Sequence, residues 1–182
     1  MDPRSMRSRD ALRRAGLELA ASRPVAEISV AEICRVAGVT RDTFYRHADA
    51  PVALVADALA DELDTALGAV GDLESISRAE TLLLTHVRSR ADVYRGALQP
   101  SLAAPVRAVL ERAVAVGLVD WLARHPEIRP AAVDDDAARE IAIAYAAGGT
   151  VAAIEVWLRA GAEDVAWATR AILAASPEWW LR

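Results

Sequence analysis

Apolar residues recur along this chain at three- and four-residue steps, and no alternating apolar–polar run lasts long enough to predict a strand. The pattern predicts an all-α protein of about nine helices. The first spans about Met6 to Ser22 on a stripe of Leu12, Ala15, Leu19 and Ala20, with Pro24 soon after its end. The second opens at Ser29. Ser29 and Glu32 have the spacing of a capping box, and Ile28 and Ile33 that of a hydrophobic staple. The third opens at Thr40, with Val39 and Phe44 as its staple, and Ala37-Gly38-Val39 turns between the two. A glycine there supplies the positive φ that ends one helix and redirects the chain.

A fourth helix begins near Pro51, which a first turn tolerates, after a cap at Asp49 or Ala50. It runs through Leu54, Ala58, Leu59 and Leu63 towards Gly68 and Gly71, the expected hinge. Ser77 and Glu80 have capping-box spacing and open a fifth helix into Leu82-Leu83-Leu84 and Val87. A short helix around Val93 and Tyr94 and a long one from about Ser101 to His125-Pro126 follow. Pro126 to Asp136 reads as a polar loop. A helix from about Asp136 to Arg159 stops at Gly161, and a last one spans about Glu163 to Ala174, before Pro177 and the Trp179-Trp180 pair. Asp134-Asp135-Asp136 reads as charge placed where a helix macrodipole favours it. A metal site there is disfavoured, because no EF-hand spacing follows.

Charge changes this picture more by its distribution than by its sum. The 182 residues carry a net −5, yet residues 1–50 hold nine Arg against seven acids, and residues 51–182 hold twelve Arg against nineteen. Only a surface facing phosphate needs to be positive. The absence of Lys, beside abundant Ala, fits the codon bias of a GC-rich genome. The apolar share of 54% suffices for a sizeable core. No apolar run of membrane-spanning length is free of a charge, Pro or Gly, so no transmembrane segment is expected. The start MDPRSMRSRD lacks an apolar signal core, and the single Cys34 suits a reducing compartment, so a cytoplasmic location is expected.

The chemistry concentrates in residues 28–59, ISVAEICRVAGVTRDTFYRHADAPVALVADAL. Two short helices about a tight Gly turn form a helix-turn-helix. The second, about Thr40 to His47, presents Thr40, Arg41, Asp42, Thr43, Tyr45, Arg46 and His47, while Phe44 holds it to its neighbours. An α-helix fits the major groove, so these side chains are candidate DNA contacts. Hydroxyls of Thr40 and Tyr45 and the guanidinium of Arg46 suit phosphates; Arg41 and Thr43 suit base edges.

The run Ile33-x3-Ala37-Gly38-Val39-Thr40-x3-Phe44-Tyr45-x-His47 resembles the signature of the tetracycline-repressor (TetR) family, over about residues 8–60. Beyond that, the likeness is one of helical layout and of the penultimate helix around Gly148 and Gly149. The resemblance implies a homodimer that reads a palindromic operator in double-stranded DNA. Residues 1–50 would bind DNA, and residues 51–182 would dimerise and hold a small-molecule effector, with the helix at about 51–70 connecting them. It places Thr40, Tyr45 and His47 against the DNA backbone or groove, and Arg41 and Thr43 at bases. Arg4, Arg7 and Arg9 are read either as an arm reaching DNA or as a tail. Two positions depart from the family pattern: Ala48 stands where Phe is usual, and Pro51 where a phosphate-holding Lys is usual.

The stretch Ile141 to Leu158 is rich in small residues, and two mid-helix glycines are costly unless close approach rewards them. With the last helix it would form half of a four-helix dimer bundle through Ile141, Tyr145, Gly148, Gly149, Ala152, Trp157, Val165, Ala168 and Ile172; a core within one chain is the other reading. Arg139, Glu140, Glu155 and Arg159 argue against membrane association of this helix. The family likeness implies an effector pocket, with His86, Tyr94, Gln99, Trp121 and Tyr145 as candidate lining. Few charges are expected inside, which favours an apolar or aromatic effector. The resemblance further implies that effector binding shifts the fourth helix and the spacing of the reading helices. No catalytic motif appears and no zinc spacing is present, so neither an enzyme nor a cofactor or metal is expected. The alternative function is a dimeric ligand-binding protein that has lost DNA recognition.

Overall fold

The computed structural model describes residues 3–68 and 75–181. The expected hinge residue Gly71 lies outside them. Among the described residues the fold is all-helical: α1 (Pro3–Ala20), α2 (Val30–Ala37), α3 (Arg41–Tyr45), α4 (Pro51–Gly68), α5 (Ile76–Ser89), α6 (Ala91–Gly96), α7 (Ala104–Arg124), α8 (Asp136–Arg159) and α9 (Val165–Ala175), with short 3-10 turns between them and after α9. The chain groups into two compact units. One holds the chain through Glu62 together with Arg90–Val109; the other holds Leu63–Ser89 and the chain from Leu110 onward.

The first unit is built around Leu12, Ile33, Phe44, Leu54, Leu59, Tyr94 and Val106, all without solvent exposure. Its helices start as the local chemistry dictates. The Ser29 hydroxyl accepts from the Glu32 N–H while the Glu32 carboxylate accepts from the Ser29 N–H at 3.0 Å, completing the capping box. Ile28 and Ile33 are both buried, as a staple requires. The α1 helix begins earlier than its apolar stripe suggests, so Arg4 and Arg7 stand exposed on a helix rather than in a loose arm. Arg9 and Arg13 pair with Asp57 of α4, each at 2.8 Å, and Arg90 is bidentate to Glu62. Close packing of α6 on α1 favours Gly96, since a Cβ there would stand a tight 3.2 Å from the carbonyl oxygens of Ala20 and Arg23.

In the second unit, α5 packs on α9, and Leu118, Trp121, Leu122, Ile143 and Trp180 form a buried cluster. The expected Ser77–Glu80 capping box does not form. Ser75 is the cap: its hydroxyl accepts from the Arg78 N–H at 3.1 Å, so the helix starts two residues earlier and Glu80 is carried to the buried face of α5. The segment expected as a loop after Pro126 holds two 3-10 turns, Pro126–Ile128 and Ala131–Val133. Asp135 then caps α8 by accepting from the Ala138 N–H at 2.9 Å, the helix-start role expected of the Asp run. By length and composition α8 is apolar enough to cross a membrane, but Ile143, Ala147, Val151, Ile154 and Leu158 on one side are buried in this unit's own core.

Candidate functional site

The helix-turn-helix is fixed by three local devices. Gly38 takes φ +66°, ends α2 and lets its N–H bond back to the Cys34 carbonyl. Thr40 then caps α3, its hydroxyl accepting from the Thr43 N–H at 3.2 Å. Phe44, fully buried, anchors α3 in the unit's core, and its ring meets Tyr45 edge-on at 5.4 Å. With Phe44 inward, Arg41, Asp42, Tyr45 and Arg46 are exposed, Tyr45 at 59%, and Thr43 and His47 are half-buried. The helix itself carries Arg41, Asp42, Thr43 and Tyr45; Thr40 is its N-cap, and Arg46 and His47, expected within it, follow in the turn after its end.

Their mutual bonds set which side chains are engaged. Arg46 donates to the Thr43 hydroxyl at 3.1 Å and pairs with Asp42 at 3.2 Å. That pair is exposed on both sides, so it contributes little stability and can be exchanged for a phosphate at small cost. At the start of α2, the Arg23 guanidinium at 2.6 Å and the Ser29 N–H and hydroxyl hold the Glu32 carboxyl down at about 2. Glu32 thus stays a capping carboxylate at any physiological pH. Burial pushes the Cys34 thiol up, only partly opposed by the Arg41 charge, which makes Cys34 a packing residue rather than a nucleophile. Pro51 occupies the first turn of α4, and Ala48 is half-buried with its N–H on the Phe44 carbonyl at 2.9 Å.

The second unit holds a partly open cavity of about 210 Å³, lined by the end of α4, by α5, α7, α8 and α9, and by the turn after α9. Of the residues expected at an effector pocket, Trp121 and Tyr145 line it; His86, Tyr94 and Gln99 do not. His86 is buried elsewhere on α5, while Tyr94 is fully buried and Gln99 is exposed in the first unit. The lining residues that were not anticipated include Glu80 and Trp180. Capping-box spacing concealed Glu80. The signal that reveals it is its place in the Ile76, Glu80, Leu83, Leu84, Val87 stripe, a core register on a helix.

Of the residues expected at a dimer interface, Trp157, Ala168 and Ile172 are buried within the chain; their side chains belong to its own core. Gly148 and Val165 are half-buried. Ile141, Tyr145, Gly149 and Ala152 are exposed and share one face of α8 with Val156; exposure reaches 70% at Ile141, 74% at Tyr145 and 61% at Val156.

Comparison of the sequence with protein-family models finds no match, and comparison with curated proteins finds none. Solved structures do match. The chain is similar to the dihydroxyacetone kinase operon activator DhaS, with 16% identity, a TM-score of 0.65, and coverage of 96% of this chain and 98% of that one. It is also similar to a TetR-family transcriptional regulator from Streptomyces coelicolor, with 17% identity, a TM-score of 0.61, and coverage of 98% of this chain and 85% of that one. The chain therefore has the all-α fold of TetR-type regulators.

Proposed function

We propose that this chain is a DNA-binding transcriptional regulator of the TetR type. In this reading it acts in the cytoplasm as a homodimer, represses by occupying a palindromic operator, and releases it when a small effector fills the cavity of the second unit. The observation that carries the reading is the construction of α3: a buried Phe44 turns Arg41, Tyr45 and Arg46 outward on a helix set by Gly38 and Thr40. A core-anchored helix with a polar outer face is what groove reading requires. Arg41 and Thr43 are assigned to base edges, and Thr40, Tyr45, Arg46 and His47 to the backbone.

The exposed face of α8 supports dimerisation. A helix apolar on all sides belongs in a core, yet Ile141, Tyr145 and Val156 face solvent in the single chain. A second copy covers such a face by two-fold symmetry, and Gly149 and Ala152 let the helices approach closely. Effector action then follows from linkage: the ligand must bind the conformer that does not hold DNA more tightly than the one that does.

The test is selection of duplexes from a random library by the wild-type chain and by an Arg41→Ala, Tyr45→Ala variant. The wild type is expected to enrich a palindrome and the variant, still a folded dimer, to enrich none. Failure of the folded wild-type dimer to enrich any sequence would favour a ligand-binding protein without DNA recognition.

A further inference from the structure

The cavity of the second unit is apolar over most of its wall, but three of its lining residues each carry a buried polar atom that has no partner among the described residues. Glu80 is 8% exposed, and its Oε1 has no hydrogen-bond partner. The indole N–H groups of Trp121 and Trp180, residues 7% and 4% exposed, also lack acceptors. All three residues line the same space. Buried polar groups in proteins are satisfied as a rule, and exceptions concentrate at functional sites. A purely apolar ligand would leave all three unmet, each at a desolvation cost.

We propose that the effector cavity is built for a small aromatic amine, whose ammonium group pairs with the Glu80 carboxylate and whose ring carries an acceptor for the Trp121 and Trp180 N–H groups. This deepens the effector-responsive reading above and rests on it. The cavity, at about 210 Å³, lies below the roughly 300–1,000 Å³ of common ligand sites and calls for a compact molecule.

The surrounding charges favour a cation over an anion. Among the described residues, the other ionisable side chains lining the space are Arg124 of α7 and Tyr145 of α8. Arg124 is already paired with Asp120 at 2.7 Å and lies 5.7 Å from the centre of the Trp121 ring. His125 stacks on Trp121 at 4.0 Å and stands 3.4 Å from Glu127. Among the lining residues, α9 and the C-terminal turn contribute no ionisable group. Among the described residues, Glu80 is thus the lining carboxyl group with an oxygen, Oε1, that no partner meets. Burial raises its carboxyl to about 7, so an ammonium ligand must draw the proton off Glu80 when the two pair. Binding is therefore expected to strengthen as pH rises towards and through about 7, by up to about tenfold per unit below that point.

The test uses three probes with one framework: tyramine, tyrosol and para-hydroxyphenylacetate, which differ in carrying an ammonium, a hydroxyl or a carboxylate. Calorimetric titration of the full chain, without DNA, is expected to give tyramine at least about tenfold tighter binding than tyrosol, with the carboxylate weakest. Glu80→Gln should bring tyramine to the level of tyrosol and abolish the pH dependence. The proposal is overturned if tyrosol or the carboxylate matches tyramine, if tyramine fails to bind, or if its advantage survives Glu80→Gln. These outcomes are read without DNA and leave the DNA-binding reading intact. Tyramine binding that leaves affinity for the selected operator unchanged would instead count against effector control.

Discussion

Gly38 holds φ +66° with open space where a Cβ would stand. Alanine there meets no clash and costs only the left-handed backbone, about 1–2 kcal/mol, in a denaturation midpoint. The sequence was enough to read this position, because a turn between two capped helices demands such a residue. Glu80 was not readable in the same way. Its spacing from Ser77 satisfies a capping rule that masks its place in the Ile76, Leu83, Leu84, Val87 stripe, and the true start at Ser75 agrees with that stripe in turning it inward. It carries the sharper prediction. Its carboxyl is at about 7 through burial, against 4.5 when exposed. A raised carboxyl leaves stability intact below about pH 4.5 and erodes it as pH climbs to about 7, by roughly 3 kcal/mol at most. Glu80→Gln is therefore expected to raise the melting temperature of the ligand-free chain at about pH 8 and to change it little at about pH 4.5. An equal shift at both would refute a buried, titrating Glu80.

At the scale of elements, α1 is tied to α4 through Asp57, which accepts from both Arg9 and Arg13. Burial would raise this carboxyl, but the bonds from Arg13 and then Arg9 outweigh it and hold it below its ordinary value. Its contribution is present above about pH 4 and fades as pH falls through its lowered value. Asp57→Asn should cost on the order of 1 kcal/mol near neutrality, since the carboxylate is partly exposed. The loss should shrink in acid, measured by urea denaturation across pH. These bonds span 44 and 48 residues, so no local pattern announces them. What local patterns did announce were α2, α3 and α8, each with a side-chain cap and an apolar face. The α8 stripe of small residues pointed to close packing, but a one-dimensional pattern could not divide it. Trp157 is spent on the chain's own core, whereas Ile141 and Tyr145 are left outside.

For the whole molecule, the all-α architecture followed from periodicity, and the likeness to DhaS and to the Streptomyces coelicolor regulator agrees with it across nearly the whole chain. The cavity is a different matter. Its walls come from five helices and the C-terminal turn, spread along the sequence, so candidates chosen one residue at a time included Trp121 and Tyr145 but missed Glu80 and Trp180. A net charge of −5 gives no overall attraction to DNA, so the claim of operator binding rests on a few arginines and hydroxyls on one helix. The most direct measurement is therefore a salt titration of affinity for the selected palindrome, for a single half-site and for a scrambled duplex. The palindrome is expected to bind most tightly, its affinity to fall steeply as salt rises, and the half-site to show about half that slope because half the phosphate contacts are made. Equal affinities for palindrome and scrambled duplex would contradict operator reading by this chain.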